Sequence, residues 1–382
     1  MRFEEGMAEL DTQAKGARPV TIKDIAREAG VSTATVSYVI NDTKPVMPEK
    51  RQRILDVIEA MDYHPNRFAK SLRTKKTNTI GVLAEDILAF PTSRIVGGIS
   101  EYMEQTDYQI LLSDLRMLDS LYNRYDQIVH QKEKINKAVS FLASATKVDA
   151  IIYIGMFDRD ITGIIANVNK PVVIAYSTSG DSHTWSVTYE NEAISTLLTR
   201  HLIECGHERI AVITGIAHTA PAQTRLKGIQ KAFSEAGRVL DSALVKNGDW
   251  ERGSGYACMK ELLGQGKDRL PTAVLAMNDF MAIGAMDAIR EAGLSVPGDI
   301  SVAGFDNREV SDYVLPKLTT VEIDLNAIGF AAARVAVQKP GGPGGTGGPG
   351  GADEDGEGRC VVIPSKLIVR DTVARIAKIP TN

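Results

Sequence analysis

Between Thr21 and Met61 apolar residues recur at helical spacing. They run Ile22, Ile25, Ala26 and Ala29, then Val36, Val39 and Ile40, then Ile54, Leu55, Ile58 and Met61. A stripe of that period predicts amphipathic helices packed on one another. Residues 63–78, YHPNRFAKSLRTKKTN, are polar and basic around one isolated leucine, and read as a linker with a short helix. From Thr79 the pattern changes to short apolar runs. These are TIGVLA at 79–84, YQILLS at 108–113, VDAIIYI at 148–154, PVVIAY at 171–176, RIAVIT at 209–214, AVLAM at 273–277 and DISVAGF at 299–305. Amphipathic stretches such as Glu192–Cys205 and Arg225–Ala236 separate them. Strand–helix alternation predicts parallel sheets covered by helices.

The runs suffice for two α/β lobes. Their boundaries follow the composition shifts. Residues 1–18 read as a disordered tail, 19–64 as a helical domain and 65–78 as a hinge. The first lobe is expected at 79–178 with 325–338, and the second at 186–324 with 359–376. Residues 339–358, KPGGPGGTGGPGGADEDGEG, form a flexible Gly/Pro-rich insertion with no G-x-y period and no direct chemistry.

The segment TIKDIAREAGVSTATVSYVIN at 21–41 is the most specific motif. Ala26 is small where two helices must touch. Gly30 follows four residues later, where a positive φ turns the chain. Val36, six further on, is a core position of the second helix, and Ser32 caps that helix. This is the spacing of a helix-turn-helix, whose second helix enters the DNA major groove. The alternative it leaves open is an ordinary helical hairpin. Charge bears on the choice. Residues 19–78 hold 11 Lys and Arg against 7 Asp and Glu, a net of +4, so the rest of this −4 chain carries −8. A basic end on an acidic body suits a polyanion, although a solvated charged face has the same count.

Other classes are disfavoured. Hydrophobic and charged contents of 43% and 24% are those of an ordinary globular protein, and no apolar run reaches bilayer length. The first 18 residues mix acids and bases without an apolar core, so no secretory signal or membrane partner is expected and the location is cytoplasmic. Cys205, Cys258 and Cys360 are far apart without a C-x-x-C, which indicates neither a disulfide framework nor a zinc site. No Walker pattern, strand-associated G-x-G-x-x-G or Ser/His/Asp constellation is present, so no catalytic residue, cofactor or metal is expected.

Longer stretches resemble the LacI/GalR family of bacterial repressors. VSTATVSYVIN resembles V-S-x-A-T-V-S-R-x-L-N, PEKRQRILDVIEAMDYHPN resembles the third helix and its exit, and RFAKSLRTKKTNTIGVL resembles the hinge. HLIECGHERIAVITG, TRLKGIQKAF and AMNDFMAIGAMDAIREAGLSVPGDISVAGFDN resemble successive segments of the family's effector domain. The resemblance runs from Thr21 to about Thr372, apart from the Gly-rich insertion. It implies an all-α helix-turn-helix domain followed by a two-lobed, periplasmic-binding-protein-like α/β domain with parallel sheets. It also implies a homodimeric repressor of carbohydrate-utilisation genes, bound to a pseudo-palindromic double-stranded operator and switched by a sugar-like effector between the lobes. An exported sugar-binding transport protein of the same fold is the competing reading, but it has no use for residues 19–78.

Site residues carry over position by position. The resemblance implies that Thr33, Ala34 and Tyr38 face base edges, with Thr21, Ser32, Thr35, Ser37 and Asn41 near phosphates. Tyr38 replaces the common Arg and lacks its bidentate fork for guanine, so the half-site should differ. Met47 replaces a Ser or Thr before Pro48 and leaves the third helix without a side-chain cap. In the hinge, Lys70 and Ser71 precede Leu72, which the resemblance makes a minor-groove wedge; capping the core domain is the alternative. For the effector the resemblance implies Arg225, Trp250, Asn278 and Asp306 in the second lobe. Asn278 and Asp306 also follow predicted strands, where ligands of open α/β sheets sit. Asp86 and Phe90 are the first lobe's counterparts, in an AEDILAFPTS segment that departs from the family pattern. The alternatives are a turn cap for Asp306, plain core for Trp250, and for Asp279 the ordering of its own loop.

Replacing Leu72 by Ala is expected to weaken specific operator binding and reduce the DNA bend, because a wedge supplies the contacts that offset unstacking. A circular-permutation gel measures the bend; an unchanged angle excludes the wedge.

Overall fold

The computed structural model describes residues 20–63, 76–121, 125–266, 269–338 and 359–376. The tail, most of the hinge and the Gly-rich insertion, with Lys70, Ser71 and Leu72, lie outside the described residues. The chain divides into two units, 1–77 and 78–382.

In the first unit, α1 (Ile22–Glu28), α2 (Thr33–Asn41) and α3 (Pro48–Ala60) close over Ile25, Ala26, Ala29, Val36, Val39 and Ile54. These buried residues are the stripe read from the sequence; Leu55, also in that stripe, is exposed. The Asp24 carboxylate accepts from the backbone N–H and the hydroxyl of Thr21, at 3.0 and 2.6 Å, and fixes the start of α1. Gly30 turns the chain at φ +64°. Ser32 Oγ then accepts from the Thr35 N–H at 3.1 Å and caps α2. Met47 leaves α3 without a side-chain cap, as its sequence implies.

The second unit holds two parallel sheets. The first has the order β11-β5-β4-β3-β1-β2, built from β1 (Thr79–Ala84), β2 (Gln109–Asp114), β3 (Ala150–Ile154), β4 (Val172–Ala175), β5 (Thr184–Tyr189) and β11 (Cys360–Ile363). The other has the order β7-β6-β8-β9, from β6 (Ile210–Thr214), β7 (Val245–Asn247), β8 (Ala273–Ala276) and β9 (Ser301–Ala303). β10 (Thr320–Glu322) pairs antiparallel with β12 (Lys366–Ile368). The inner strands β3, β4, β6 and β8 are buried at every position, because helices cover both faces of a parallel sheet.

This topology corrects the lobe boundaries expected from sequence. Segments 186–189 and 359–363 were assigned to the second lobe, yet β5 and β11 pair in register within the first lobe's sheet, Val361 opposite Val187. The chain therefore crosses between lobes at 189–191, 322–325 and 363–366, three adjacent passages. The misplacement has a physical reason. A strand that pairs with a neighbour some 170 residues away in sequence carries no local mark of that partner.

Helices pack at glycines. α4 (Phe90–Met103) and α10 (Leu325–Gln338) approach so closely that a Cβ on Gly98 would sit 1.9 Å from Asn326 O, and one on Gly329 2.0 Å from Ile95 O. α8 (Arg252–Leu263) and α9 (Asp279–Glu291) meet the same way at Gly284, whose Cβ would lie 2.0 Å from Arg252 O. Backbone cannot yield as a side chain does. Gly329→Ala is therefore expected to destabilise the second unit by about 3 kcal/mol. Gly253→Ala, where a Cβ meets nothing within 4 Å, is expected to leave stability unchanged or slightly raised. Urea unfolding of both variants decides it; equal midpoints refute the close packing.

Candidate functional site

The first unit offers one face. Thr33 and Ala34 open α2 and are exposed, and Thr35, Ser37, Tyr38 and Asn41 are half-buried along it. Several of these groups already have partners. The Ser32 and Thr35 hydroxyls lie 2.8 Å apart, and Asn41 Nδ2 donates to the Ser37 carbonyl at 2.8 Å. The Lys44 ammonium stands 5.1 Å from the Tyr38 ring centroid, which places a cation beside the residue that replaces the usual Arg. Thr21 is engaged with Asp24 at the start of α1.

In the second unit a cavity of about 620 Å³ opens between the two lobes, at the carboxyl ends of their strands. Phe90, Arg225, Trp250, Asn278 and Asp306 line it. The sixth expected effector residue, Asp86, does not. Its two carboxylate oxygens accept the N–H groups of Leu88 and Leu118, at 2.9 and 2.8 Å, so it holds the loops beside the cavity. A carboxylate after a strand satisfies backbone donors as readily as a ligand, and sequence does not separate the two.

Arg225, 3% exposed on α7 (Ala220–Glu235), organises the floor. Its Nε donates to Asn191 Oδ1 at 2.8 Å, one terminal nitrogen donates to the Met277 carbonyl, and the other to Tyr189 Oη at 3.2 Å and Asp306 Oδ1 at 3.4 Å. The guanidinium lies 3.6 Å from the Phe305 ring centroid and 5.7 Å from that of Trp250. Trp250 sits at φ +76° with its indole on Gly215, where a Cβ would fall 1.9 Å from the ring. Asn278 caps α9 by accepting the Met281 N–H at 2.8 Å, and donates to the Trp250 carbonyl at 2.7 Å. It thus holds the platform as well as lining the wall. Asp306, at φ +103°, faces the cavity; burial raises its carboxyl above the ordinary value, with Arg225 pulling the other way.

Residues missed from sequence complete the wall: Asp158, Arg159, Tyr176, Tyr189, Phe280 and Arg308. The first four follow or end strands, the position already used to find Asn278 and Asp306. Tyr176 and Tyr189 stack with centroids 5.5 Å apart, and burial pushes the Tyr189 hydroxyl up to about 12. Arg159 is held by the buried Glu85, both of whose oxygens lie 2.6 Å from its Nη2. Asp279 is internal: it accepts from the Thr320 hydroxyl at 2.5 Å and the Arg308 N–H at 2.6 Å, and burial pushes it up to about 8. It orders its own loop, the alternative its sequence position left open. Among the described residues no His, Cys, Asp and Glu cluster could hold a metal ion, and no helix is long and apolar enough to cross a membrane.

Residues 21–66 match the profile of bacterial regulatory proteins of the lacI family, and residues 199–373 that of a periplasmic binding protein-like domain. Similar proteins include the HTH-type transcriptional repressor PurR of Pasteurella multocida, 32% identical over 356 residues, which span 92% of this chain and 98% of that protein. The PurR of Aliivibrio fischeri is 29% identical over 360 residues, covering 94% and 99%. Among solved structures, the lac repressor dimer bound to operator and the anti-inducer ONPF superposes with TM-score 0.72 at 26% identity, covering 94% of this chain and 100% of that one. The transcriptional regulator CelR–cellobiose complex gives 0.59 at 27% identity, covering 93% and 100%.

Asp158 provides a test of the wall. Burial pushes its carboxyl up to about 6 from 3.8, while Arg225 and the Asn191 amide pull it down. A carboxyl raised by folding holds its proton more tightly in the folded state. Its contribution is therefore full below pH 3.8 and is lost as pH rises through about 6. Asp158→Asn keeps the contact with Asn191 without the buried charge, and is expected to stabilise the protein by about 2 kcal/mol at neutral pH. The gain should shrink toward pH 4. Urea unfolding of both proteins across that range is the measurement; a gain that grows on acidification contradicts the assignment.

Proposed function

The chain belongs to the lacI family of bacterial regulatory proteins and is a DNA-binding transcriptional regulator; from that premise we propose that it is a homodimeric repressor whose operator affinity is set by a polyhydroxylated small molecule. The carrying observation is the cavity between the lobes, whose wall combines charged hydrogen-bonding groups with an indole and phenyl faces. Carboxylate, guanidinium and amide groups suit hydroxyls, and an aromatic face suits the apolar side of a sugar ring. That the structural relative CelR is in complex with cellobiose supports a saccharide as the ligand class. The regulated genes on this reading serve carbohydrate utilisation.

Operator recognition is assigned to α2. Thr33, Ala34 and Tyr38 read base edges, and Thr21, Ser32, Thr35, Ser37 and Asn41 stand near phosphates. Each subunit carries one reading head, so a closed twofold dimer meets a pseudo-palindrome. The operator-bound lac repressor relative is a dimer. β2 is an edge strand with Leu111 and Leu112 exposed on its opposite faces, an unpaired edge open to a second copy.

The test selects bound sequences from random DNA with the full chain, then titrates the selected operator with and without a panel of saccharides. The expected site is a pseudo-palindrome whose affinity falls roughly a thousandfold between about 50 and 200 mM salt. A saccharide from the panel is expected to shift that affinity, and Trp250→Leu to weaken the saccharide about tenfold by removing its platform. An isolated half-site refutes the dimer. A chain indifferent to every saccharide refutes the effector class.

A further inference from the structure

Arg308 is the cavity group without an evident task. Its backbone N–H is fixed by Asp279 Oδ2 at 2.6 Å, and its guanidinium lies 3.9 Å from the Phe90 ring centroid and 4.4 Å from that of Phe280. One ring comes from the first lobe and the other from the second. Two aromatic contacts restrict the side chain, so it is in place before any ligand arrives. Its hydrogen-bonding capacity is unspent. Nε is buried without a hydrogen-bond partner, the nearest carboxylate oxygen being Asp306 Oδ2 at 3.9 Å. Among the described residues no hydrogen bond from its terminal nitrogens is found, although a guanidinium carries five donors.

The nearest counter-charge is shared. Asp306 stands 3.4 Å from Arg225 and 3.9 Å from Arg308, one carboxylate facing two guanidinium groups. The neighbouring carboxyl, Asp279, is spent on the Thr320 hydroxyl and the Arg308 backbone N–H, and burial and the charge on Asp306 raise it to about 8. Buried cations are matched by anions or become costly.

We propose that Arg308 recognises an anionic substituent, a carboxylate or a phosphate, on the small molecule that fills the cavity. The inference rests on the cavity being the effector site and narrows its ligand from polyols in general to acidic ones. The planar fork of donors matches either anion, and the incoming charge adds to the pairing that Asp306 divides between Arg225 and Arg308. The hydroxyls of the same ligand would face Asp306 and Asp158, and its ring the indole of Trp250.

Calorimetric titration of the full chain with glucose, gluconate and glucose 6-phosphate, and with ribose and ribose 5-phosphate, tests it. The anionic member of at least one set is expected to bind about tenfold or more tighter than its neutral partner, the scale of a charge-assisted hydrogen bond. Gluconate against glucose 6-phosphate tells carboxylate from phosphate. Arg308→Gln should bring the ratio within a set close to one, and Arg308→Lys, which keeps charge but not the fork, should leave part of it. Melting curves of both variants confirm that they are folded. Equal affinity within every set overturns the inference and leaves the cavity reading standing. So does a preference that survives Arg308→Gln, or a uniform loss across each set, which marks Arg308 as a clamp between lobes. Absence of binding by all five compounds overturns both.

Discussion

The second unit is organised around one buried cation. Arg225 spends its donors on the first turn of α6 (Asn191–Glu204), the end of β5, the residue after β8 and the loop after β9. Tyr189 and Asn191 flank the first passage between lobes, while Met277 and Asp306 belong to the second lobe. A single guanidinium thus ties the passage to the strand ends that form the cavity floor. Removing one partner of such a buried charge leaves the others uncompensated, which is the costly direction. Arg225 therefore belongs to the frame whether or not it also meets the proposed ligand, and loss of ligand affinity on its mutation does not by itself identify a ligand contact. Asn278 has the same double character through the α9 cap and the Trp250 carbonyl.

What the sequence made legible was local. The spacing of Ala26, Gly30, Ser32 and Val36 specifies a turn between two short helices, and each of those residues does in the structure what its position required. The strand runs were legible as well, because a strand buried on both faces is apolar throughout. What was lost is contact between distant segments. β11 follows a long polar insertion and reads as the neighbour of β12, yet it pairs with β5. Asp86 has the residue type and position of a ligand contact, and only the geometry shows its oxygens turned to Leu88 and Leu118. Arg308 depends on Phe90 and Phe280, from two elements far apart in sequence, and no local pattern signals that meeting.

The three passages between lobes lie side by side, since β5 and β11 are neighbours and β10 pairs with β12. Side-by-side connections restrict relative motion of the lobes to bending about one region while each sheet keeps its packing. The glycine contacts reinforce this. α4 against α10 within one lobe and α8 against α9 within the other meet backbone to backbone, so neither lobe deforms easily. Any change of shape is left to the cavity between them.

Contacts between groups of the two lobes cross the cavity wall: Arg225 with Tyr189 Oη, and Arg308 with the Phe90 ring. Ligand binding is therefore an exchange, in which new bonds matter only so far as they differ between lobe arrangements. The exchange need not be large. A tenfold change in operator affinity corresponds to about 1.4 kcal/mol of coupling. One charge-assisted hydrogen bond made in a single arrangement is of that size. A cavity whose donors were all satisfied internally could not supply it. A wall that keeps a restrained guanidinium with unspent donors, beside a carboxylate shared by two cations, has that energy in reserve for the molecule that completes it.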